Sequence, residues 1–235
     1  SRLDSRRIAA MVVPHAGYSY SGLTAALAYR EIRQRPFARV VVISPSHRDF
    51  FHGVSVYPGD WYESPLGRIE VDREFCETLA CECRVARISS QGHAAPSGAS
   101  FGEHALEVQL PFLQGALENF RLVPLVMGDQ ELSTCAALGL SLSRLCRDAK
   151  TLIVASSDLS HFHSYEKARV MDLRLLDSLQ RMDYFSLGNL LETGEVEACG
   201  GGPVIAAMIA AENLGAEGCE LIDYRNSGDV EAGMR

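Results

Sequence analysis

Short apolar runs rich in β-branched residues recur along the chain, and the stretches between them have helical spacing. Two of these runs, Val40–Ile43 and Leu152–Ala155, are apolar at every position, which is typical of strands covered on both faces. A sheet of such strands needs helices on each side. The pattern predicts an α/β fold, a three-layer α/β/α sandwich around a central sheet that is mixed but largely parallel.

The same periodicities locate the individual elements. Pro111 is expected to break or kink its helix, because proline lacks an amide donor and clashes with the preceding turn. The stretch Ser89–Gly102, which contains His93, is predicted to be a long loop. The predicted strands are Ile8–Val13, Val40–Ile43, Val54–Tyr57, Arg84–Ile88, Leu122–Met127, Leu152–Ala155 and Glu220–Tyr224. The predicted helices are Gly22–Arg33, Asp72–Cys83, His104–Leu117, Leu132–Arg147, Tyr165–Arg181 and Pro203–Leu214.

The composition of the chain bears on the number of its domains, its cellular location and its partners. The chain of 235 residues is 47% hydrophobic and 22% charged, which predicts a single domain over residues 1–235. A formal charge of −8 argues against a nucleic-acid partner, because phosphate binding needs a surplus of Lys and Arg. No apolar run reaches the roughly 18 residues of a membrane span, and the first residues lack the core of a signal peptide. We therefore expect no membrane association and a cytoplasmic location.

The cysteines and the chain ends lead to two further expectations. The seven cysteines are an odd number in a chain too long to need disulfides, which indicates free thiols in a reducing compartment. The chain begins without Met, and after Gly228 it shows no helix or strand pattern. Truncation at both ends is therefore expected.

Polar residues follow several of the predicted strands directly. His15 comes after Ile8–Val13, His47 after Val40–Ile43, and Asp158 and His161 after Leu152–Ala155. The sequence Gly128-Asp129 follows a fourth strand in the same way. If these strands are parallel, their carboxyl ends share one edge of the sheet, where open α/β sheets bind ligands. The sequence therefore predicts the functional site at this edge.

His15 and His47 are candidate metal ligands, because neutral imidazole is the commonest metal ligand in proteins. A histidine at a strand end is more often a structural residue that bonds to the backbone. Both of these follow turn sequences, Pro14 and Ser44-Pro-Ser, which fix a loop and favour the ligand interpretation of the pair.

Asp158-x-x-His161 is a candidate acid–base pair, in which the carboxylate orients an imidazole that acts as a general base. Ser156, Ser157 and Ser160 would supply hydrogen-bond partners. The alternative is a helix N-cap, since Ser or Asp after a strand commonly begins a helix. The two interpretations are compatible.

In Glu103-His104-x-x-Glu107, at the head of a predicted helix, His104 and Glu107 share a face. Surface polar residues are an equally good interpretation there. Cys199 precedes three glycines and Pro203, which suits a first helical turn. A helix start favours the thiolate, which is both a nucleophile and a soft metal ligand. The glycines would let the backbone approach a ligand, or would cradle a phosphate, although no Lys follows to complete a P-loop.

Together these motifs resemble the Memo family, whose bacterial and archaeal members are called AmmeMemoRadiSam system protein B. They occur in the order expected of that family, and the resemblance covers nearly the whole chain, from about Ile8 to Asp229. The segments that carry it are Pro14–Gly22, Ser44–His47, Glu103–Phe112, Ser156–His161 and Cys199–Ile205.

The resemblance implies a fold similar to the catalytic subunit of class III extradiol dioxygenases, which open catechol rings at a non-haem Fe(II). By motif, His15 and His47 resemble the two imidazole ligands, and Cys199 resembles the third ligand. The dioxygenases have a carboxylate in that third place. A thiolate is softer and oxidisable, which argues against ring cleavage. The resemblance implies iron(II) as the metal, with copper or zinc as alternatives.

The resemblance also implies the catalytic residues. His161 stands in the place of the general base, and Asp158 and His104 would line the same pocket. The leading hypothesis is a metal-dependent redox enzyme that acts on an unidentified small molecule or peptide and is functionally linked to a radical SAM protein. A phosphopeptide-binding module is one alternative, although Arg48, directly after His47, is the only Arg or Lys at these motifs. A zinc hydrolase is another, because two His, one Cys and a water can form a catalytic zinc site.

Overall fold

The computed structural model describes residues 7–93 and 103–233, without the side chains of residues 231–233. Its strands are β1 (Ala10–Val13), β2 (Arg39–Pro45), β3 (Val54–Val56), β4 (Trp61–Ser64), β5 (Gly67–Glu70), β6 (Ala86–Ile88), β7 (Arg121–Met127) and β8 (Thr151–Ser156). Its helices are α1 (Tyr18–Arg30), α2 (Arg73–Glu82), α3 (Leu110–Ala116), α4 (Leu132–Leu145), α5 (Tyr165–Gln180), α6 (Tyr184–Glu192), α7 (Gly201–Asn213) and α8 (Ser227–Gly233).

Six strands form the central sheet, in the order β1-β8-β2-β7-β3-β6. Neighbouring strands are parallel throughout except for β3 and β7, which pair antiparallel. The sheet is therefore mixed and largely parallel, and the predicted fold class is confirmed.

Helices cover both faces because the connections run in opposite directions. From β1 through α1 to β2 the chain moves one way across the sheet, and from β7 through α4 to β8 it moves back. Right-handed crossovers therefore place α1 and α4 on opposite faces. Helix α4 packs on α7, and α1 packs on α3.

The fully apolar strands lie at the centre of this arrangement. Every residue of Val40–Ile43 and Leu152–Ala155 is 0% exposed. Burial on both faces is what their continuous apolar sequence predicts. Proline limits α3 as expected, because Pro111 stands in its first turn and a separate 3-10 turn covers Glu107–Gln109 before it.

Some elements differ from the sequence prediction. The predicted strand Glu220–Tyr224 is wrong, because this segment is irregular and lies at the surface, where side-chain bonds such as Tyr224 Oη to Asp172 hold it. The hairpin of β4 and β5 was not predicted, since its turn, Pro65-Leu66, lacks the usual hairpin residues. Helices α6 and α8 were also missed, and α8 corrects the expectation of no element after Gly228. Of the predicted loop Ser89–Gly102, residues 94–102 lie outside the described residues.

Two features of this fold bear on function. Within residues 7–93 and 103–233, no helix combines the length and the apolar character needed to cross a bilayer. The carboxyl ends of the parallel strands β1, β8, β2 and β7 share one edge of the sheet. That edge carries the residues described next.

A candidate metal centre at the carboxyl edge of the sheet

The strand order brings the candidate residues next to one another. Because β8 lies between β1 and β2, the loop with Asp158 is flanked by the loops with His15 and His47. Cys199 immediately precedes the N-cap residue of α7, a helix that packs against β1, β2 and β8. Four segments that are distant in sequence therefore meet at one place.

Cys199 and His15 are in direct contact although 184 positions separate them. The sulfur lies 3.1 Å from Nε2 of His15, and the amide of Asp158 donates a hydrogen bond to it over 3.2 Å. His15, Asp158 and Cys199 each offer a donor atom within 4.8 Å of the other two. His15, His47 and His104 form a second such group. Among the described residues, two sets of candidate ligands therefore share His15.

His15 is 1% exposed, and its ring orientation is fixed by neutral partners. The hydroxyl of Ser156 donates its one proton to Ala105 O over 2.6 Å and accepts a bond from Gln109 Nε2 over 2.8 Å. The orientation of the Gln109 amide follows from Tyr29, whose hydroxyl donates to Oε1. Nδ1 of His15, 2.9 Å from the Ser156 oxygen, must therefore be the donor of that bond. Nε2 of His15 faces Cys199. In the neutral imidazole it offers a lone pair that a metal ion can use, and it can donate to the sulfur only when the ring is an imidazolium.

His47 is fixed by a charged partner. Its Nδ1 lies 3.0 Å from Oε1 of Glu103, and its backbone amide donates to the same carboxylate. A carboxylate can only accept, so Nδ1 carries a proton. Hydrogen bonds to Cys199 and Glu103 raise the pKa of His47 to about 10. Without a metal ion, we therefore expect His47 to be an imidazolium at neutral pH.

Glu103 is a buried carboxylate, 3% exposed. Burial alone would raise its pKa, but hydrogen bonds from His47 and from the amides of His47 and Ala105 lower the pKa to about 2. The amide of His104 donates to it as well, over 2.8 Å, and Nδ1 of His104 lies 3.3 Å from Oε1. For His104, a base, burial has the opposite effect and is the main cause that lowers its pKa. One carboxylate therefore contacts two of the three imidazoles.

In metal-free protein we expect Cys199 to be mainly a thiolate at neutral pH. Burial would raise its pKa, but hydrogen bonds from His15 and His47 outweigh burial and lower the pKa to about 6. Gly200 and Gly202, which follow Cys199, pack against other residues of the chain. The sequence had suggested that these glycines let the backbone approach a ligand. A side chain at Gly200 would lie 2.2 Å from the carbonyl oxygen of Ser156, and one at Gly202 would meet Gln130. The glycines thus let α7 begin close to β8.

Asp158 spans the space between two histidines. Its Oδ1 accepts the amides of His15 and Ala16, at 2.8 and 3.1 Å, so it links the ends of β1 and β8 and does not cap a helix. Its Oδ2 lies 3.9 Å from Nε2 of His15 and 4.0 Å from Nε2 of His161. Asp158 therefore lies between the buried imidazole and the rim.

His161 lies on that rim with its side chain 44% exposed. Its amide donates to Glu197, which also lies 2.9 Å from Nε2 of His163. The next residue, Phe162, is fully exposed and has a φ of +60°, a left-handed conformation that is uncommon outside glycine. Residues with such a backbone conformation are enriched at functional sites.

The donor atoms suit a transition metal. His15 and His47 each use Nδ1 to donate to an oxygen, which leaves Nε2 as the nitrogen available for coordination. Metal-bound histidines usually show this arrangement, because the outer bond fixes the tautomer and the ring. Imidazole nitrogen and thiolate sulfur are ligands for iron, copper and zinc. The residues present therefore fit the metal implied by the sequence, although the structure identifies no particular ion.

Three supporting residues were not assigned from the sequence. Glu103 belonged to a recognised motif but was read as part of a polar surface, and Ser156 was expected near His161, whereas it contacts His15. Gln109 carried no signal of its own. The only indication was the position of Glu103 and Gln109 in one short segment with His104.

Comparison with known proteins supports one family. A model of the family described as Memo-like protein matches residues 2–234. A MEMO1 family protein of Methanobrevibacter smithii is 36% identical over 228 residues, which cover 95% of this chain and 78% of that protein. A MEMO1 family protein of Nitrosopumilus maritimus is 34% identical over 228 residues, with 97% and 80% covered.

A solved structure is similar in fold alone. The crystal structure of the uncharacterized protein JW3007 from Escherichia coli K12 aligns with a TM-score of 0.59 and covers 87% of this chain and 89% of its own. Its sequence is 17% identical to this one, so it supports the α/β architecture and carries no argument about chemistry.

Proposed function

This chain belongs to the Memo family, and from that membership and the site geometry we propose that it is a metal-dependent redox enzyme whose ion is bound by His15, His47 and Cys199. The family predicted from the sequence motifs is thus confirmed. One observation carries the proposal. The Cys199 sulfur lies 3.1 Å from Nε2 of the buried His15, and because Nδ1 donates to Ser156, Nε2 of the neutral ring offers its lone pair on the side of the sulfur.

The ligand set favours iron(II), with copper and zinc as alternatives. Two imidazoles and one thiolate leave coordination positions open, as sites that bind O₂ or a chelating substrate require. When bound, a redox-active ion would supply electron transfer to such a molecule. The residues of the chain hold the ion, fix the tautomers of its histidines and limit access of water on the side of His15, which is buried.

His161 and Asp158 are the proposed proton-transfer pair. His161 is on the rim, where it can reach a substrate, and its Nε2 faces Oδ2 of Asp158 over 4.0 Å. This separation is longer than a hydrogen bond, so we expect the pair to tighten when a substrate excludes water. His104, which was predicted to line the same pocket, lies next to His47, with 5.2 Å between the ring centroids.

The charge of the site bears on the substrate. Without a metal ion, the acidic groups Glu103, Asp158 and Cys199 outnumber the charged imidazole of His47 and disfavour an anion such as a phosphopeptide, and a bound divalent ion would offset part of this negative charge. The substrate, a small molecule or a peptide, and the functional link to a radical SAM protein stay predictions. A zinc hydrolase would use the same ligands, so the identity of the metal separates that function from redox chemistry.

Metal analysis of protein purified without oxygen tests the proposal. We expect about one iron per chain in the parent, loss of iron in His47→Ala and a lower iron content in Cys199→Ser, because each substitution removes a ligand. Cys81→Ser and His52→Ala are matched controls, since Cys81 is exposed and His52 belongs to neither candidate ligand group.

The outcomes separate the candidate functions. Copper in place of iron would keep the redox proposal and change its metal. Zinc together with hydrolytic turnover would favour the hydrolase. A parent that binds none of the three metals, but binds a phosphopeptide, would contradict the proposal.

A further inference from the structure

We infer that His104 is also a metal ligand. His15, His47 and His104 form a three-histidine face, which binds a divalent first-row ion next to Cys199 and does not need a bond to its sulfur. The inference rests on the proposed function, because it uses His15 and His47 again. It adds a ligand and a second way of binding the ion at the same place.

The three rings converge on one point. One nitrogen from each lies within 4.8 Å of the other two. The ring centroid of His104 lies 5.6 Å from that of His15 and 5.2 Å from that of His47. The centroids of His15 and His47 are 5.2 Å apart. Three imidazoles grouped in this way match the donor number of a catalytic metal site.

The surroundings of His104 resemble those of an orienting metal-site histidine. Its Nδ1 is 3.3 Å from Oε1 of Glu103, the oxygen that accepts Nδ1 of His47 over 3.0 Å. The backbone amide of His104 is bonded to the same oxygen. A carboxylate behind an imidazole fixes the ring and makes the other nitrogen more basic, which is the usual arrangement around a bound metal. One buried carboxylate would therefore orient two ligands.

A surface histidine without a function would look different. The side chain of His52, in the loop that follows His47, is 82% exposed, and its Nδ1 lies 3.9 Å from a carboxylate oxygen of Asp129. The side chain of His104 is 52% exposed and packs against two other imidazoles. Three like rings side by side would repel one another if protonated, but each can share an ion when neutral.

The two ligand sets have different metal preferences. The set with Cys199 includes a soft sulfur, whereas the three-histidine face has nitrogen alone and suits Co²⁺, Ni²⁺, Cu²⁺ or Zn²⁺. His15 belongs to both sets, so both would use the same buried ligand. Loss of the thiolate would therefore leave a binding site for the ion.

Titration of the metal-free full chain with Co²⁺ tests the inference. The forms compared are the parent, Cys199→Ser, His104→Ala, the double variant Cys199→Ser/His104→Ala, and His52→Ala as the control. Binding is followed by calorimetry, and the thiolate is followed by its charge-transfer absorption with cobalt. His104→Gln, which keeps the size of the side chain, replaces His104→Ala if the melting temperature of the metal-free alanine variant falls.

We expect Cys199→Ser to lose the charge-transfer band but to retain cobalt, and the double variant to bind at least about 100-fold more weakly than Cys199→Ser. His52→Ala should match the parent. Equal cobalt affinity in Cys199→Ser and in the double variant would overturn the inference and leave the proposed function intact. No cobalt, iron, copper or zinc bound by any form, including the parent, would overturn both.

Discussion

The two histidines that meet Cys199 are held in different ways. His15 is buried, and the neutral groups of Ser156 and Gln109 fix its ring. The side chain of His47 is 31% exposed, and the carboxylate of Glu103 fixes its ring. We refer to His15, Ser156 and Gln109 as the buried half of the site. His47, Glu103 and His104 are its open half.

The difference shows how one site can be both rigid and adjustable. Ser156 and Gln109 do not titrate, so the bond from Nδ1 that holds the ring of His15 in the buried half should not depend on their ionisation. In the open half, the hydrogen bond between His47 and Glu103 depends on the ionisation of Glu103. The same carboxylate contacts a second histidine, His104, which is exposed to solvent. We therefore expect the loss of stability caused by a substitution in the open half to depend on pH. The loss caused by a substitution in the buried half should not depend on pH.

The largest effect is expected for Glu103→Gln in metal-free protein. A pKa lowered from 4.5 to about 2 corresponds to about 3 kcal/mol of folding free energy. Because the folded-state pKa is the lower one, this stability is present above pH 4.5 and is lost as the pH falls toward 2. Urea unfolding at pH 7 and pH 3 should show a large difference between variant and parent that shrinks in acid. Glu107→Gln is the control. If Glu103→Gln lowers the free energy of unfolding equally at both pH values, the result would contradict stabilisation by the ionised carboxylate of Glu103.

The next effect concerns the backbone behind the buried half. A methyl group at Gly200 would lie 2.2 Å from the Ser156 carbonyl oxygen, so Gly200→Ala must move either α7 or the end of β8. We expect a loss of about 2 kcal/mol in thermal or urea unfolding, together with weaker metal binding. Gly17→Ala is the matched control, because nothing lies within 4 Å of its added carbon. Equal stability of the two variants would show that the close approach at Gly200 is not needed.

A third, smaller effect links the two halves through Cys199. Hydrogen bonds from both histidines lower its pKa to about 6, so its alkylation in metal-free protein should rise with pH to a plateau above that value. His47→Ala removes one of the two bonds and should move the midpoint upward, toward the ordinary thiol pKa. Mass spectrometry of iodoacetamide-treated protein measures this, with the exposed Cys81 as the internal reference. An unchanged midpoint in the variant would mean that His15 alone activates the thiol.

The smallest effect is expected for Ser156→Ala. It removes the hydroxyl that accepts from His15 and Gln109, which should cost about 1 kcal/mol of stability and weaken metal binding by about 10-fold. Unlike the deficit of Glu103→Gln, its stability deficit should be the same at pH 7 and pH 3. Ser141→Ala, at a buried serine of α4, controls for the loss of a hydroxyl. A pH-dependent deficit in Ser156→Ala would remove the distinction between the two halves.

The sheet and the candidate ligands could be predicted because they depend on local patterns. Val40–Ile43 and Leu152–Ala155 are apolar at every position, which identifies strands buried on both faces, and His15 and His47 follow strands directly. Parallel pairing then brings the strand ends to one edge. This reasoning needs only the period of the apolar residues and the rule for ligand position in α/β sheets.

The outer contacts of the site could not be predicted in the same way. Glu103 is buried against His47, which lies 56 positions earlier in the sequence, and nothing local distinguishes it from a polar residue at a helix head. The partner of Ser156 was assigned to the wrong histidine, since alternation along β8 does not show which neighbouring loop its hydroxyl meets. The segment Glu220–Tyr224 has a strand-like composition, but no free sheet edge pairs with it among the described residues.

X-ray absorption at the edge of the bound metal tests the central claim most directly. In parent protein loaded with iron or zinc, we expect one sulfur neighbour at about 2.3 Å and imidazole nitrogens at about 2.0 to 2.1 Å, with the sulfur absent in Cys199→Ser. A bound ion surrounded by oxygen alone, with no sulfur and no imidazole scattering in the parent, would contradict the claim that Cys199 and the histidines hold it together.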